Sequence, residues 1–179
     1  ARLNAWAISW VAHQVIENPI ELFEANIFYP LRHSLAYSEH LTLQGLLALP
    51  LLAITDDLVL TNNLILLFSM FASALGMYFL AWTLTKNHLA SILTGLFFSF
   101  APFRFNRLPH IQMQLYAFLP VALAGIHLFI TNKNRRWLLV FSGSFVLQTL
   151  AGTYLGAISA VAILAALITL LPNTLPWRR

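Results

Sequence analysis

Residues Leu64–Leu84 read LILLFSMFASALGMYFLAWTL, an apolar run with no charged side chain. A helix needs roughly 20 apolar residues to cross a hydrocarbon core about 30 Å thick. This stretch is therefore long enough for one crossing. The rest of the chain agrees with that reading. Hydrophobic residues make up 59% of the 179 and charged residues 9%, against about 45–50% and about 25% in soluble domains. A domain of this length still exposes much of its surface, so a core of its own does not absorb such an excess. The expected class is all-α, a polytopic helical membrane protein.

Further spans lie on the C-terminal side. His88–Phe103 and Ile111–Thr131 are apolar, separated by the polar knot Arg104-Phe105-Asn106-Arg107-Leu108-Pro109-His110, and a short basic loop, 132–136, follows. Trp137–Leu171 is too long for one crossing, because 35 residues make a helix of about 52 Å at 1.5 Å per residue. It is predicted to be two spans broken near Gly152-Thr153-Tyr154. Trp177-Arg178-Arg179 reads as an interfacial anchor. Residues 61–179 are thus expected to hold about five transmembrane helices. Ala72 with Gly76, and Gly152 with Gly156, are candidate helix contacts.

Residues 1–60 differ. Leu3, Trp6, Ala7, Trp10, Val11 and Val15 recur at helical spacing, with Asn4, Ser9, His13 and Glu17 on other faces. This predicts an amphipathic helix suited to the membrane interface, ended by Asn18-Pro19. An ordered polar loop is expected over 20–40. Leu41–Ile54 is short and contains Pro50, so it is expected to dip into the bilayer as a re-entrant segment. The first twenty residues, with His13, Glu17 and Pro19, do not read as a signal peptide. The chain is expected to be part of a longer protein.

Charge sets the expected orientation. All six acids lie in the first 57 residues, whereas eight basic residues and no acid follow. Basic loops favour the cytoplasmic side, which places Lys86, Lys133, Arg135 and Arg136 there and Arg104–His110 on the extracytoplasmic side. With a re-entrant Leu41–Ile54, residues 1–40 join Arg104–His110 outside. Basic residues scattered among apolar runs give no reason to expect nucleic acid as a partner; the expected partner is the lipid bilayer. Cysteine is absent, which excludes disulfides and thiolate metal sites, and no His/Glu spacing matches a strong metal motif.

Among candidate chemical residues, Glu24 stands out because apolar and aromatic residues flank it from Leu22 to Pro30. That pattern suggests a packed catalytic pocket rather than a wet loop. Arg104, Arg107 and His110 are spaced by three, which on a helix would place them on one face. Such a face suits a phosphate through charge-assisted hydrogen bonds, although snorkelling to headgroups explains the arginines equally. His127, in an apolar run, reads as a packing residue.

The order of these features resembles a known family. An interfacial Trp-bearing helix is followed by Glu24-Ala25-Asn26-Ile27-Phe28-Tyr29-Pro30 and then Leu35-Ala36-Tyr37-Ser38-Glu39-His40. After two apolar segments come Phe98-Ser99-Phe100-Ala101-Pro102-Phe103-Arg104, then Arg107 and His110-Ile111-Gln112. This resembles the N-terminal part of bacterial multi-spanning GT-C superfamily glycosyltransferases, relatives of protein O-mannosyltransferases and aminoarabinose transferases. The resemblance implies transfer of a sugar from a polyprenyl-phosphate donor to an extracytoplasmic acceptor at the bacterial inner (plasma) membrane. It further implies an acid in the first external loop as base or metal ligand, with a divalent metal as a possible cofactor. Glu24 and Glu39 are then the catalytic candidates. Asn26, Tyr29, His40, Arg104, Arg107, His110 and Gln112 are the candidate substrate-binding residues. The principal family acid, an Asp near the end of the first span, would lie upstream of Ala1. The competing readings are a transporter or flippase, a non-catalytic membrane subunit, and an inactive GT-C scaffold.

Overall fold

A computed structural model describes residues 2–170; the expected anchor Trp177-Arg178-Arg179 lies outside the described residues. The described chain is helical and contains no strand. Its helices are α1 (Arg2–Glu17), α2 (Thr42–Thr55), α3 (Leu58–Thr85), α4 (His88–Ser99), α5 (Pro102–Asn106), α6 (Phe118–Asn132), α7 (Arg136–Ala151) and α8 (Thr153–Leu170). Short 3₁₀ turns occupy Pro19–Glu21, Ser34–Tyr37 and Ile111–Met113.

The axis of the fold is α3. Its 28 residues make a rod of about 42 Å. It starts cleanly because Asp57 Oδ1 accepts the Val59 and Leu60 N–H groups at 2.8 and 3.0 Å, satisfying two donors that a helix start leaves free. The N-terminal half of α3 packs against α2, its C-terminal half against α4 and α6, and α7 and α8 follow in sequence around α6. Two segments are long and apolar enough to cross a membrane, Leu58–Thr85 and Ile111–Asn132.

The remaining apolar helices are shorter. At 12 and 16 residues, α4 and α7 extend about 18 and 24 Å. The long run after Trp137 does divide into two helices, at Gly152. The Ile111–Thr131 run is helical in α6 only from Phe118, and α2 continues through Pro50 as a 14-residue helix of about 21 Å.

α3 and α6 run in the same direction. Gly76 meets the Ala117 carbonyl at the start of α6, and further along Leu80 and Leu84 border one groove with Leu123 and His127. Consequently the turn at Lys86 and the loop 133–135 share one end of the bundle, as the charge pattern anticipated.

The amphipathic reading of α1 is sharpened. Ala7, Ile8, Val11 and Ala12 are buried against Ala48 of α2 and Ile65 of α3. Trp6 and Trp10 stack on one another at 6.0 Å and are only partly buried. The inward face is thus rotated toward Ile8 and Ala12, while Leu3 stays exposed. Close approach is possible because Gly45 of α2 has no Cβ, where one would collide with the Val11 side chain.

Gly76 decides the α3–α6 contact in the same manner. A methyl there would meet backbone, which cannot rotate away, so Gly76→Ala should cost roughly 1–3 kcal/mol through overpacking. Gly143 of α7 has nothing within 4 Å of its Cβ position, and Ala in a helix gains roughly 0.5–1 kcal/mol over Gly. Thermal unfolding in detergent should therefore show Gly76→Ala lowered in Tm and Gly143→Ala equal to or above the parent.

Candidate functional site

The segment from Arg107 to Ala117 leaves the helical path, and its cause is local. Pro109 supplies no N–H and pushes Leu108 away from helical angles, so α5 ends at Asn106 with Arg107 as its cap. Arg104, Arg107 and His110 consequently do not share a helical face. Arg104 is 1% exposed, whereas Arg107 is exposed and His110 half-buried.

Side chains from two helices and from the segment itself satisfy this irregular backbone. Ser73 of α3 lies 2.9 Å from the Gln114 carbonyl and accepts the Tyr116 N–H at 3.0 Å. Gln148 of α7 donates to the Leu115 carbonyl at 2.9 Å and accepts the Leu119 N–H at 3.0 Å. Gln114 itself donates to the carbonyls of Arg104 and Arg107, at 3.2 and 2.9 Å. A third amide, Gln44 of α2, donates to the Ala151 carbonyl at 2.8 Å, where α7 ends.

On this frame, segments far apart in sequence meet. Asn4 of α1 donates through Nδ2 to the Pro109 carbonyl at 3.0 Å and to Gln112 Oε1 at 2.9 Å. Glu39 Oε2 accepts the Thr153 N–H at 3.0 Å at the start of α8, a favourable place for a carboxylate because helix N-termini carry partial positive charge. Gly152 makes room for it, since a Cβ there would lie 3.0 Å from Glu39 Oε2 and 3.8 Å from Gln112 Cβ. Glu39 and Gln112 thus flank one glycine, while Glu39 Oε1 accepts no hydrogen bond among the described residues.

His40 stands next to Glu39 in the chain. Its Nδ1 accepts the Thr42 N–H at 3.2 Å and lies 2.8 Å from Thr42 Oγ1, which assigns the proton of the neutral ring to Nε2. Burial lowers its pKa from the ordinary 6.5, and the Glu39 charge opposes that shift.

Arg104 is the other notable group. Both terminal guanidinium nitrogens are buried without a hydrogen-bond partner, and the Phe98 and Tyr116 rings lie 5.2 and 5.3 Å from its Cζ. Ring contacts of this kind contribute about 0.5–2 kcal/mol, less than the several kcal/mol of taking a cation out of water. Burial accordingly lowers its pKa below the ordinary arginine value. His110 Nδ1 is likewise buried without a partner.

Glu24 sits elsewhere. It accepts the His33 N–H at 3.0 Å and pairs with Arg32 at 3.4 Å and His33 at 3.2 Å, with its side chain 26% exposed. Its contacts are with its own loop rather than with Arg104 or Arg107. Asn26 is exposed and Tyr29, before the cis peptide to Pro30, is 98% exposed; neither joins Glu39 and Gln112. Among the described residues no three His, Cys, Asp or Glu side chains converge as metal ligands.

The chain matches no family model, and no curated protein or solved structure matches it.

Asn4 lies on the polar face of α1 with nothing in the sequence to name its partner, and Gln44, Gln114 and Gln148 carry no motif that names theirs. Each is an amide inside an apolar stretch, which is the signal that marks them, because polar groups at such positions need partners.

The Glu24 pairing carries a pH dependence. The His33 N–H, followed by the charges of His33 and Arg32, holds the Glu24 pKa below the ordinary 4.5. A depressed folded pKa gives stabilisation that is full above the unfolded value and lost as pH falls through the folded one. Limited proteolysis within 24–33 should accelerate as pH drops below about 4.5. Glu24→Gln should be cut faster at neutral pH and lose that dependence.

Proposed function

We propose that this protein is part of a polytopic glycosyltransferase of the bacterial inner (plasma) membrane, moving a sugar from a polyprenyl-phosphate donor to an extracytoplasmic acceptor. The observation that carries the reading is the convergence of Glu39, Gln112 and Asn4 at the irregular segment that also buries the unpartnered Arg104. Two membrane-length apolar segments, and basic turns gathered at the opposite end of α6 and α7, support the membrane setting. The family resemblance supplies the reaction class.

The residues divide into coherent roles. Glu39 has one oxygen held by Thr153 and the other free of hydrogen bonds among the described residues, so Oε1 is the base. It takes the proton of the acceptor hydroxyl as that oxygen bonds to the anomeric carbon. The bond from that carbon to the phosphate oxygen breaks, and its electron pair leaves with the polyprenyl phosphate. Arg104, with two unpartnered nitrogens, and the exposed Arg107 stabilise that charge. Gln112, which flanks Gly152 with Glu39, and His110 orient polar groups of the sugar, while His40 fixes the backbone entering α2. Glu24 shapes the loop over residues 24–33 and is not the base.

Sugar transfer by the full-length protein discriminates among the acids. Glu39→Gln should lower the rate by about 10²–10⁴-fold, the usual contribution of a general base, with little change in donor affinity. Glu21→Gln, on an exposed turn, should retain the parent rate. Equal activity in the two variants would remove Glu39 from the reaction.

A further inference from the structure

Three turns in this fold use one backbone device. A helix ends on a residue in the left-handed region, and the side chain of the next residue accepts a backbone N–H two or three positions on, at the start of the following helix. Between α2 and α3 the pair is Asp56-Asp57, with Asp56 at φ 48°. Between α3 and α4 it is Lys86-Asn87, with Lys86 at φ 55° and Asn87 Oδ1 accepting the Ala90 N–H at 3.1 Å. Between α6 and α7 it is Lys133-Asn134, with Lys133 at φ 54° and Asn134 Oδ1 accepting the Arg136 N–H at 3.0 Å.

The backbone does not dictate the charge at the first position. A residue there stands at the C-terminus of one helix and the N-terminus of the next, so the two dipoles act on it with opposite sign. Gly and Asn are the residues that enter this region most readily, yet Lys fills it twice. The acidic turn and the Lys86 turn stand at opposite ends of α3. The reason for the difference must lie in what each end faces.

At the Lys86 end, every charge is positive. Lys86, Lys133, Arg135 and Arg136 are exposed, none makes an ion pair among the described residues, and no acid follows Asp57 in the sequence. Aromatic rings lie beside them. Lys86 Nζ rests 4.0 Å from the Trp82 ring, which also stacks on His88 at 6.2 Å. Tyr78 Oη lies 2.7 Å from His88 Nδ1, and Nε2 has no hydrogen bond among the described residues. Trp137, beside Arg136, packs near Phe79 of α3, which holds the two turns side by side.

We propose that this end is a docking surface for the phosphate headgroups of anionic phospholipids, with Lys86 and His88 at one turn and Lys133, Arg135 and Arg136 at the other. Charge complementarity identifies the occupant. Cations without protein partners attract the anionic lipid surface, and the adjoining Trp rings suit the boundary between headgroup and chain. The proposal rests on the membrane reading above.

Full-length protein is reconstituted into vesicles of phosphatidylcholine alone, or of phosphatidylcholine mixed with phosphatidylglycerol, then re-extracted gently. Mass spectrometry measures the lipids it retains. The parent should retain phosphatidylglycerol severalfold above its share of the bilayer. Lys86→Asn with Lys133→Asn should bring retention down to that share, and Asn accepts the left-handed backbone, so the turns are kept. Arg2→Gln, in α1, should retain the parent enrichment. Insertion into both vesicle types without enrichment, or enrichment unchanged in the double variant, overturns the docking surface alone. Failure to insert into either vesicle type overturns the membrane reading and this proposal with it.

Discussion

Backbone polar groups in apolar surroundings must find partners inside the protein, and the break between α5 and α6 is where this fold meets that demand. Each unsatisfied buried group costs about 1–3 kcal/mol, so an irregular stretch survives there only if other elements supply donors and acceptors. Ser73, Gln114 and Gln148 supply them, with several contacts at 2.9–3.0 Å. They are buried and come from α3, the irregular segment itself and α7. The break is therefore also the joint that fixes α3, α6 and α7 relative to one another.

The proposed site rests on that joint. A continuous helix through residues 102–117 would carry Pro109 inside it and leave no carbonyl turned toward α1. Because the chain unwinds, the Pro109 carbonyl and Gln112 meet Asn4, and the space beside Gly152 admits Glu39. The buried Arg104 belongs to the same geometry, as its carbonyl is held by Gln114 while its guanidinium remains without a hydrogen bond. In the proposed reaction this cation, held only by ring contacts among the described residues, meets the phosphate that arrives and leaves with the donor.

Much of the architecture was legible in the sequence. The α3 run, the division near Gly152 and the amphipathic periodicity of α1 follow from run length and helical spacing. The polar junction was less legible, because it depends on contacts separated by about a hundred positions, as between Asn4 and Gln112. Glu24 illustrates the difficulty most clearly. Its aromatic neighbours suggested a pocket, but Arg32 and His33 in the same loop bind it first. Glu39 carried no comparable local signal; its position is set by Gly152 and Thr153, more than a hundred residues away. The three-residue spacing of Arg104, Arg107 and His110 assumed a helix that Pro109 interrupts.

The absence of cysteine makes the central contact directly measurable. Paired substitutions Asn4→Cys and Gln112→Cys should be bridged by a short bifunctional thiol reagent in native membranes, because the parent side chains meet at their tips, 2.9 Å apart, and such a reagent spans the gap left by the shorter Cys side chains. Asn4→Cys paired with Asn134→Cys, at the opposite end of α6, should not. Cross-linking of the first pair alone is the result expected of the assembled junction. Its failure, or equal cross-linking of both pairs, would contradict the placement of α1 on the irregular segment and with it the site built there.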